Sequence, residues 1–568
     1  MSLKIGKSTE ELPPESGVIR KGWHGRIRVA LVYPNVYSVG MANLGFQRVY
    51  QLFNEAEHIV CERVFLPQDT QRQVALRSIE SGRPLSDFDV IAFSISFEND
   101  YPNLLTILKK SGIGLRSSDR RPSDPLVISG GVACMMNPEP LALFVDCFLI
   151  GEAEAILPDF LRRLETGIQK AALLKILAQT VPGAYVPAFY SVTYQADGTL
   201  AAMIPPADVP QRITRVFPPD LAEHDTCSQI LSGKTSFADT YLVEVSRGCP
   251  HGCRFCSAGY IYRPPRYRPS ERLTACLVTA SSLTDQVGLV GAAVSDLPDL
   301  NVLCEAAIDR NLNLRFSSLR ADALSAELLS AMKKSGVKTA TIAPDAGSER
   351  MRRVINKGLD ENQILQATER LVAAGILNLK LYFMIGLPSE TSTDVLEIVS
   401  LCKRIKNVFL SSSRAQKRIG EITVSLNAFV PKPVTPFQWA AMDSVSRIKS
   451  KIKTVRGGLK RIPNVRFQAE APKWSYIQAL LSRGDRRVSE LLLAAHRCHG
   501  NWPQVLKAAQ ADFYALRSRD FDETLPWDFI DHGVDKDFLR REFKRALKGK
   551  STAPCPVDDQ CKVCGACR

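Results

Sequence analysis

The sequence of 568 residues has no long apolar run and no apolar segment near its amino end. It contains no stretch of about eighteen consecutive apolar residues, which excludes a conventional membrane-spanning helix. The first thirty residues are mixed and charged, without the apolar core of a secretion signal. We therefore expect a cytoplasmic protein. Its length and its hydrophobic content of 45% suit three or four globular domains.

The fifteen cysteines do not form a small disulfide scaffold, because such scaffolds are short and secreted. Three of them stand in the loop Cys249-Pro-His-Gly-Cys253-Arg-Phe-Cys256, after an alternating segment, Tyr241–Ser246, that predicts a strand. This spacing aims three thiolates at one point, and thiolates are the preferred ligands of iron–sulfur clusters. A zinc site is the alternative, but zinc usually takes four ligands, and only His251 is close in sequence.

The net charge of +14 is concentrated in one segment. Residues 403 to 461 contain fourteen Lys and Arg against Glu421 and Asp443, a surplus of twelve positive charges. A basic face attracts RNA, an acidic protein or anionic lipid, although a solvated helix surface explains it equally well. Nucleic-acid contact is therefore possible but not favoured by the sequence.

The amino-terminal part alternates strands with helices, which predicts a doubly wound parallel sheet. The predicted strands are Arg26–Tyr33, Asp89–Ser96, Pro125–Gly131 and Asp146–Gly151, with helices over Leu44–Phe53, Tyr101–Lys110 and Glu152–Leu164. Ligands bind such sheets at the carboxyl ends of the strands. Those ends carry Asn35, Tyr37, Ser94, Ser96, Gly130, Gly131, Gly151 and Glu152. The glycine pair lets a ligand approach the backbone, but a simple turn is the alternative.

The middle part predicts six β/α units, which form a partial TIM-type barrel. The strands are Tyr241–Ser246, Gly288–Ser295, Leu314–Leu319, Ala340–Ala343, Leu379–Gly386 and Ile422–Phe429. Candidate binding residues follow them, namely Asp296, Ser318, Arg320, Asp345, Gly386 and Pro388. Such groups suit a zwitterionic ligand with a ribose, because carboxylates bind amino or hydroxyl groups and Arg320 can bind a carboxylate.

The last part is mostly helical and ends in a second cysteine cluster. Helices are predicted over Ser444–Leu459, Trp474–Ser482, Arg487–His496, Pro503–Leu516 and Asp535–Lys548. The final thirteen residues before Arg568 hold Cys555, Cys561, Cys564 and Cys567. Four thiols indicate a closed site, either zinc or a second iron–sulfur cluster. A reduced tail without metal is the alternative.

The cysteine loop, with Phe255 before its last thiol, resembles the motif of the radical SAM superfamily. The resemblance implies that Cys249, Cys253 and Cys256 hold a [4Fe-4S] cluster. S-adenosylmethionine (SAM) would bind the fourth iron and be cleaved to a 5′-deoxyadenosyl radical, with electrons from a reductant such as flavodoxin or ferredoxin. Ser317–Asp322, Ala343–Arg350 and Met384–Glu390 also look like strand-end motifs of this family.

Two departures from the radical SAM pattern affect the expected SAM contacts. Relatives commonly have Glu at the position of Asp345, so the shorter side chain changes the contact distance. The Gly-Gly-Glu motif that often holds the SAM amino group is absent, and Asp296 is the candidate substitute.

Further motifs resemble the cobalamin-binding domain that precedes many radical SAM domains. They are Ser129-Gly-Gly with Asn137-Pro-Glu139, and Ile150-Gly-Glu152; Tyr33–Tyr37 and Gly40–Phe46 match one largely uncharacterised subgroup. No histidine stands in an Asp-x-His-x-x-Gly pattern, so cobalamin would be bound base-off, without a histidine ligand. The alternative is that this domain has kept the fold and lost the cofactor.

These resemblances imply three regions and one principal function. Residues 1–225 would be a flavodoxin- or Rossmann-like cobalamin domain with a connector, 237–440 the radical SAM barrel, and 441–568 a helical domain with a metal-binding tail. We expect an enzyme that cleaves SAM and methylates an unactivated carbon. The alternatives are radical cyclisation or rearrangement, modification of RNA or protein docked on the basic region, and a non-catalytic metal-dependent binding protein.

Overall fold

A computed structural model of the chain describes residues 14–69, 75–165, 167–317, 319–415, 419–508, 510–558 and 560–567. The protein is mixed α/β with a helical carboxyl-terminal region, as the sequence predicts. Among the described residues, no helix combines the length and the apolar character needed to cross a bilayer.

The amino-terminal part is built on a six-stranded sheet with the order β2-β1-β3-β4-β5-β6. The first five strands in this order are parallel, and β6 runs antiparallel to β5. The strands are β1 (Ile27–Val36), β2 (Ile59–Leu66), β3 (Val90–Ser94), β4 (Leu126–Gly130), β5 (Cys147–Leu149) and β6 (Ala184–Tyr185). Helices α1 (Leu44–Glu55), α2 (Tyr101–Lys110), α3 (Val132–Met136), α4 (Ala153–Arg163) and α5 (Lys170–Thr180) accompany them. Apolar runs form the central strands because helices cover the sheet.

Two features of this sheet differ from the sequence-based prediction. Strand β1 continues through Pro34 and Asn35 to Val36, with an irregular register after Tyr33. Strand β2 escaped prediction because charged residues interrupt its apolar pattern. One of these, Arg63, is fully buried and forms ion pairs with Glu15 at 2.8 Å and Glu80 at 2.6 Å. Its charge is therefore compensated inside the protein.

The middle part contains two parallel sheets, β9-β10-β11 and β12-β13-β14-β15. A short hairpin, β7 (Ser191–Tyr194) and β8 (Leu200–Ile204), precedes them. The strands of the two parallel sheets are β9 (Thr240–Glu244), β10 (Gln286–Val290), β11 (Asn313–Phe316), β12 (Thr339–Asp345), β13 (Asn378–Ile385), β14 (Ile422–Ala428) and β15 (Val465–Ala469). The helices are α6 (Ser270–Ser281), α7 (Leu300–Asp309), α8 (Ala326–Lys334), α9 (Glu349–Val354), α10 (Glu361–Ala373) and α11 (Ser392–Ala415). The seventh strand, β15, was not predicted, because it is short and only half-buried.

The carboxyl-terminal helices connect the other two parts. They are α12 (Val445–Leu459), α13 (Pro472–Arg483), α14 (Val488–Arg497), α15 (Trp502–Ala508) and α16 (Lys536–Leu547). The predicted helix Pro503–Leu516 is instead divided into α15 and a single turn, Asp512–Ala515. Three of the buried hydrogen bonds between this region and the amino-terminal part are those that Asn137 donates to the Ser482 and Gly484 carbonyls and that Ser489 donates to the Pro140 carbonyl.

Candidate active site

The three-cysteine loop leaves β9 through a glycine that the backbone requires. Gly248 has φ +80°, and a Cβ at this position would lie 2.7 Å from the Tyr262 carbonyl oxygen. Only glycine adopts this conformation without strain. Within the loop, the Cys256 amide donates to the Cys253 carbonyl at 3.1 Å. The turn therefore keeps Cys253 and Cys256 on one short segment of backbone.

Arg254 anchors this loop, a role that the sequence reasoning missed. Its side chain is 0% exposed and binds the Glu542 carboxylate at 3.0 Å. The same guanidinium donates to the Arg353 and Val354 carbonyls at 3.0 Å, and to the Lys550 carbonyl at 2.7 Å. One arginine thus ties the loop to α9 and to the end of the chain. The signal in the sequence that could have indicated this role is the position of Arg254 between two predicted metal ligands.

The environment of the three thiols suits a bound metal rather than free thiolates. Cys253 is buried and the other two are partly buried. Burial raises the pKa of Cys249 to about 12 and that of Cys253 to about 11, and it also raises the pKa of Cys256. Thiols in such surroundings ionise when a cation compensates the charge. Among the described residues, no three Cys, His, Asp or Glu side chains lie close enough together to hold a metal ion, so the loop thiols would have to draw together on binding.

Ion pairs surround the thiols and include several predicted residues. Asp296 accepts from His251 Nε2 at 2.5 Å, and Asp345 binds Lys357 Nζ at 2.6 Å. Burial lowers the pKa of Lys357, but the charges of Asp345 and Cys253 raise it more, so its pKa lies above the ordinary value. Arg320 pairs with Asp322 at 2.9 Å. His251 and Lys357 were not predicted as site residues, and Ser318 lies outside the described residues.

The packing of Phe255 and the backbone of Asp345 fit a ligand-binding edge of the sheets. Phe255 packs against a small apolar cluster that includes Leu387 and Phe437. Asp345 has φ +60°, an uncommon backbone conformation for a residue other than glycine. Both lie at the carboxyl ends of strands or in the loops that follow them, where α/β proteins bind their ligands.

Gly386 and Pro388 line a polar cavity of about 800 Å³ at the end of β13. The Gly386 amide donates to Glu390 Oε2 at 2.8 Å, and Glu390 binds Lys451 Nζ at 2.6 Å. Lys451 also binds Asp443 at 2.7 Å. We call this space the Gly386 cavity. Its wall includes the first turns of the basic helix α12, through Arg447 and Lys451.

A second, more apolar cavity of about 480 Å³ lies between the two halves of the molecule. Its wall includes the carboxyl ends of β3 and β4 on one side and of β9 and β10 on the other. We call it the sheet-end cavity. The predicted residues that line it are Ser94, Ser96, Gly130, Gly131, Gly151 and Glu152. Arg247 and Tyr262, which flank the cysteine loop, line it as well.

The wall of the sheet-end cavity is rich in buried charge. Glu152 binds Arg266 at 2.6 Å, Arg247 at 2.7 Å and Arg215 at 3.3 Å. Arg247 also binds Glu154 at 2.8 Å. Although burial raises it, the pKa of Glu154 is lowered to about 2 by Arg247 and nearby groups. Glu152 therefore holds the two halves together, in addition to lining the cavity.

Four predicted residues of the amino-terminal part do not line this cavity. Asn35 donates to Asp100 at 2.8 Å, and Tyr37 donates to Glu15 at 2.6 Å. Asn137 makes the contacts to the carboxyl-terminal helices described above. Glu139 pairs with Arg486 at 3.2 Å. In this structure all four make contacts within the protein, and these partners come from segments that local sequence patterns do not connect.

Comparison with known proteins supports the family resemblance. Residues 45–187 match the model of the amino-terminal region of radical SAM proteins, and residues 243–402 match the radical SAM superfamily model. An uncharacterised protein of Methanocaldococcus jannaschii is 30% identical over 469 residues, which cover 82% of this chain and 90% of the relative. The hopanoid C-3 methylase of Methylococcus capsulatus is 26% identical over 43% of this chain and 41% of its own length.

A solved structure also resembles the chain at low identity. It is the radical S-adenosylmethionine methyltransferase TsrM from Kitasatospora setae, with cobalamin and a [4Fe-4S] cluster bound. The match has a TM-score of 0.49 and 12% identity, and it covers 85% of this chain and 100% of TsrM.

The chain belongs to the radical SAM superfamily, and the family resemblance inferred from its sequence is confirmed. Membership implies an iron–sulfur cluster, SAM and an external reductant.

Proposed function

We propose that the protein is a cobalamin-dependent radical SAM enzyme that methylates an unactivated carbon. The observation that carries this proposal is the sheet-end cavity, which places the carboxyl ends of two parallel sheets opposite one another. Parallel sheets bind their ligands at these ends. A ligand of the amino-terminal sheet would therefore lie beside β9 and the cysteine loop that follows it.

In this proposal, Cys249, Cys253 and Cys256 hold the [4Fe-4S] cluster. Their burial and short connecting loop fit that role, and Arg254 fixes the loop against α9. Asp296, Arg320 and Asp345 would bind SAM, with Gly386 and Pro388 leaving room for it beside β13. Lys357 orients the Asp345 carboxylate through their 2.6 Å contact.

The sheet-end cavity provides the candidate cobalamin site. Gly130 and Gly131 line it, and a Cβ on Gly130 would meet only the Leu149 carbonyl, at 3.6 Å. Arg48 also lines it; its buried Nε makes no hydrogen bond within the described part of the chain and lies 3.8 Å from the Glu154 carboxylate. These observations fit a ligand with polar groups. When bound, SAM would supply a radical and cobalamin a transferable methyl group.

The same proposal assigns three regions. Residues 1–225 form the cobalamin-binding domain and its connector, 237–440 the partial barrel, and 441–568 the helical region with its cysteine-rich tail. The two parallel sheets of the middle part would be the two arcs of that barrel.

The test is anaerobic reconstitution of the whole protein with iron, sulfide and hydroxocobalamin, followed by metal counting and SAM turnover. We expect about one cobalt per chain, bound iron, and 5′-deoxyadenosine formed under reductant. Cys256→Ala should abolish 5′-deoxyadenosine formation, whereas Cys498→Ala, outside the loop, should not. Turnover retained in Cys256→Ala would disprove the cluster assignment, and iron without cobalt would exclude methylcobalamin.

A second candidate function is modification of RNA docked on the basic helix α12. Arg447, Lys449, Lys453 and Arg456 are exposed on this helix, and Lys460 is exposed directly after its last residue. The same helix contributes to the wall of the Gly386 cavity. The adjacent helix α13 presents Trp474, which is 40% exposed, with Lys473 Nζ 4.9 Å from its ring. Cations beside an exposed aromatic ring are typical of single-strand binding surfaces.

A further inference from the structure

The carboxyl-terminal tail, residues 550–567, packs against the three-cysteine loop. The Cys555 amide donates to the Pro250 carbonyl at 2.8 Å. Asn356 bridges the two segments, because its Nδ2 donates to the Gly252 carbonyl at 3.1 Å and its Oδ1 accepts from the Thr552 amide at 2.8 Å. These contacts join two segments that lie far apart in the sequence. They place Cys555, the first of the tail cysteines, next to the three-cysteine loop.

Two of the tail thiols approach one buried cation. The guanidinium of Arg263 hydrogen-bonds the Cys564 thiol and interacts electrostatically with Cys555. Arg263 is 5% exposed and packs over the rings of Tyr260 at 5.0 Å and Phe538 at 5.4 Å. Residues that are nine positions apart in the tail are therefore close to the same side chain.

The backbone around Cys564 is also fixed. Cys564 is 3% exposed, and its carbonyl accepts from the Asp535 amide at 2.8 Å, at the start of α16. Cys561 and Cys567 stand three positions before and after it. Both are therefore within reach of a metal ion bound at Cys564. A tail with this anchor, four thiols and a buried arginine has the features of a site that closes around a ligand.

We propose that Cys555, Cys561, Cys564 and Cys567 form a second thiolate-bound metal centre, which fastens the tail across the three-cysteine loop. Four protein ligands complete the coordination of zinc or fill the four positions of an iron–sulfur cluster. Binding would draw Cys561 and Cys567 towards Cys555 and Cys564. It would thereby hold the backbone of Pro250 and Gly252 in place. The proposal does not depend on cobalamin or on the identity of the substrate.

The experiment compares metal content in three variants of the full chain. The first replaces the tail thiols (C555S, C561S, C564S and C567S together), the second replaces the loop thiols (C249S, C253S and C256S together), and the third is the control C498S. Each is purified anaerobically, and separate samples are loaded with zinc alone, with ferrous iron plus sulfide, and with cobalt(II) alone. The absorption of the cobalt(II) sample counts the thiolates bound to the metal.

We expect the loop variant to retain a metal with four thiolates, and the tail variant to lose it while its loop still binds iron. About one zinc, or about four irons with sulfide, in the loop variant would identify which metal the tail takes. The tail should also become more sensitive to protease in the tail variant. A loop variant that folds, as circular dichroism would show, but binds neither metal would overturn the proposal. If the unaltered loop binds no iron while the tail still binds its metal, the result would instead contradict the proposed function and leave the tail proposal standing.

Discussion

At the scale of single residues, buried arginines rather than the predicted ligands hold the candidate site together. Arg254 and Arg247 lie on either side of the first loop cysteine, and each binds carboxylates from distant parts of the chain. A buried ion pair contributes little net stability, but removal of one partner leaves an uncompensated charge. These positions are therefore sensitive although they contact no proposed cofactor.

We predict that Arg254→Gln destabilises the protein by about 3 kcal/mol, because it leaves Glu542 buried with one fewer cation. The same change removes the contact with the Lys550 carbonyl, so the tail should become more accessible to protease. Urea unfolding of the metal-free protein measures the first effect. Arg353→Gln, at an exposed position next to the same helix turn, is the matched control. Equal stability of the two variants would show that Arg254 is not an anchor.

Residue patterns predict candidate ligands but not the contacts around them. The three thiols follow from spacing alone, because a short loop fixes their separation. The pairing of Asp345 with Lys357 could not be predicted in the same way, since the whole of α9 separates the two residues in sequence. Tyr37 shows the opposite case. The sequence predicts that this strand-end residue binds a ligand, but its hydroxyl donates to Glu15, in the amino-terminal segment.

At the scale of elements, helix α12 carries exposed positive charges and also forms part of the wall of the Gly386 cavity. Exposed cations lie along it, while Lys451 is paired with Glu390 and Asp443 at the mouth of the Gly386 cavity. The basic composition predicted the helix and its charge. Its position beside β13 depends on the packing of α11 against α12, which the sequence pattern does not specify.

If RNA docks on α12, reversal of its exposed charges should weaken binding. We predict that K449E, K453E and K460E together raise the Kd for single-stranded RNA more than tenfold at low salt. The slope of log Kd against log salt should fall by about 2, as expected for three lost phosphate contacts. Fluorescence anisotropy at several salt concentrations provides the measurement.

The matched control reverses three lysines on and after α8, K333E, K334E and K338E, which are also exposed. This variant has the same net charge as the α12 variant, so it separates a local effect from a general one. Identical losses in both variants, or no binding by the unaltered protein, would remove α12 as an RNA surface.

Elements with one clear periodicity were predicted well, and those with buried charge were not. The strands after Asp89, Pro125 and Ile422 are continuous apolar or alternating runs, and each is present. Strand β2 contains Glu62 and Arg63, whose partners lie elsewhere in the chain. Local sequence patterns therefore did not reveal strand β2, because the burial of charge depends on tertiary contacts.

At the scale of the whole molecule, a buried histidine links stability to pH. His532 is 5% exposed and lies where the carboxyl-terminal region meets the amino-terminal part. Burial, together with the charge of Arg215, lowers its pKa from 6.5 to about 3. The unfolded chain therefore binds a proton below pH 6.5 that the folded protein does not bind until about pH 3. The free energy of unfolding should fall across this window as the pH decreases.

We predict that this histidine contributes about 2 kcal/mol to the loss of stability between pH 7.5 and pH 5.0. His532→Phe should reduce that loss by the same amount, since phenylalanine takes up no proton. Urea unfolding of the metal-free protein at the two pH values measures the difference. His24→Phe, at an exposed site, should leave the pH dependence unchanged. An unaltered pH dependence in His532→Phe would contradict the assignment.

The sequence alone determined the family and the α/β class, and it predicts the loop and tail thiols as metal ligands, because these depend on local spacing and periodicity. Only the tertiary structure decided what these pieces face. It brings the ends of β3 and β4 opposite β9 and β10, and it brings Cys555 to Pro250. The physical reason is that both arrangements rest on buried ion pairs and backbone hydrogen bonds between distant segments, such as Glu152 with Arg266 and Arg254 with Glu542. No local pattern records such partners.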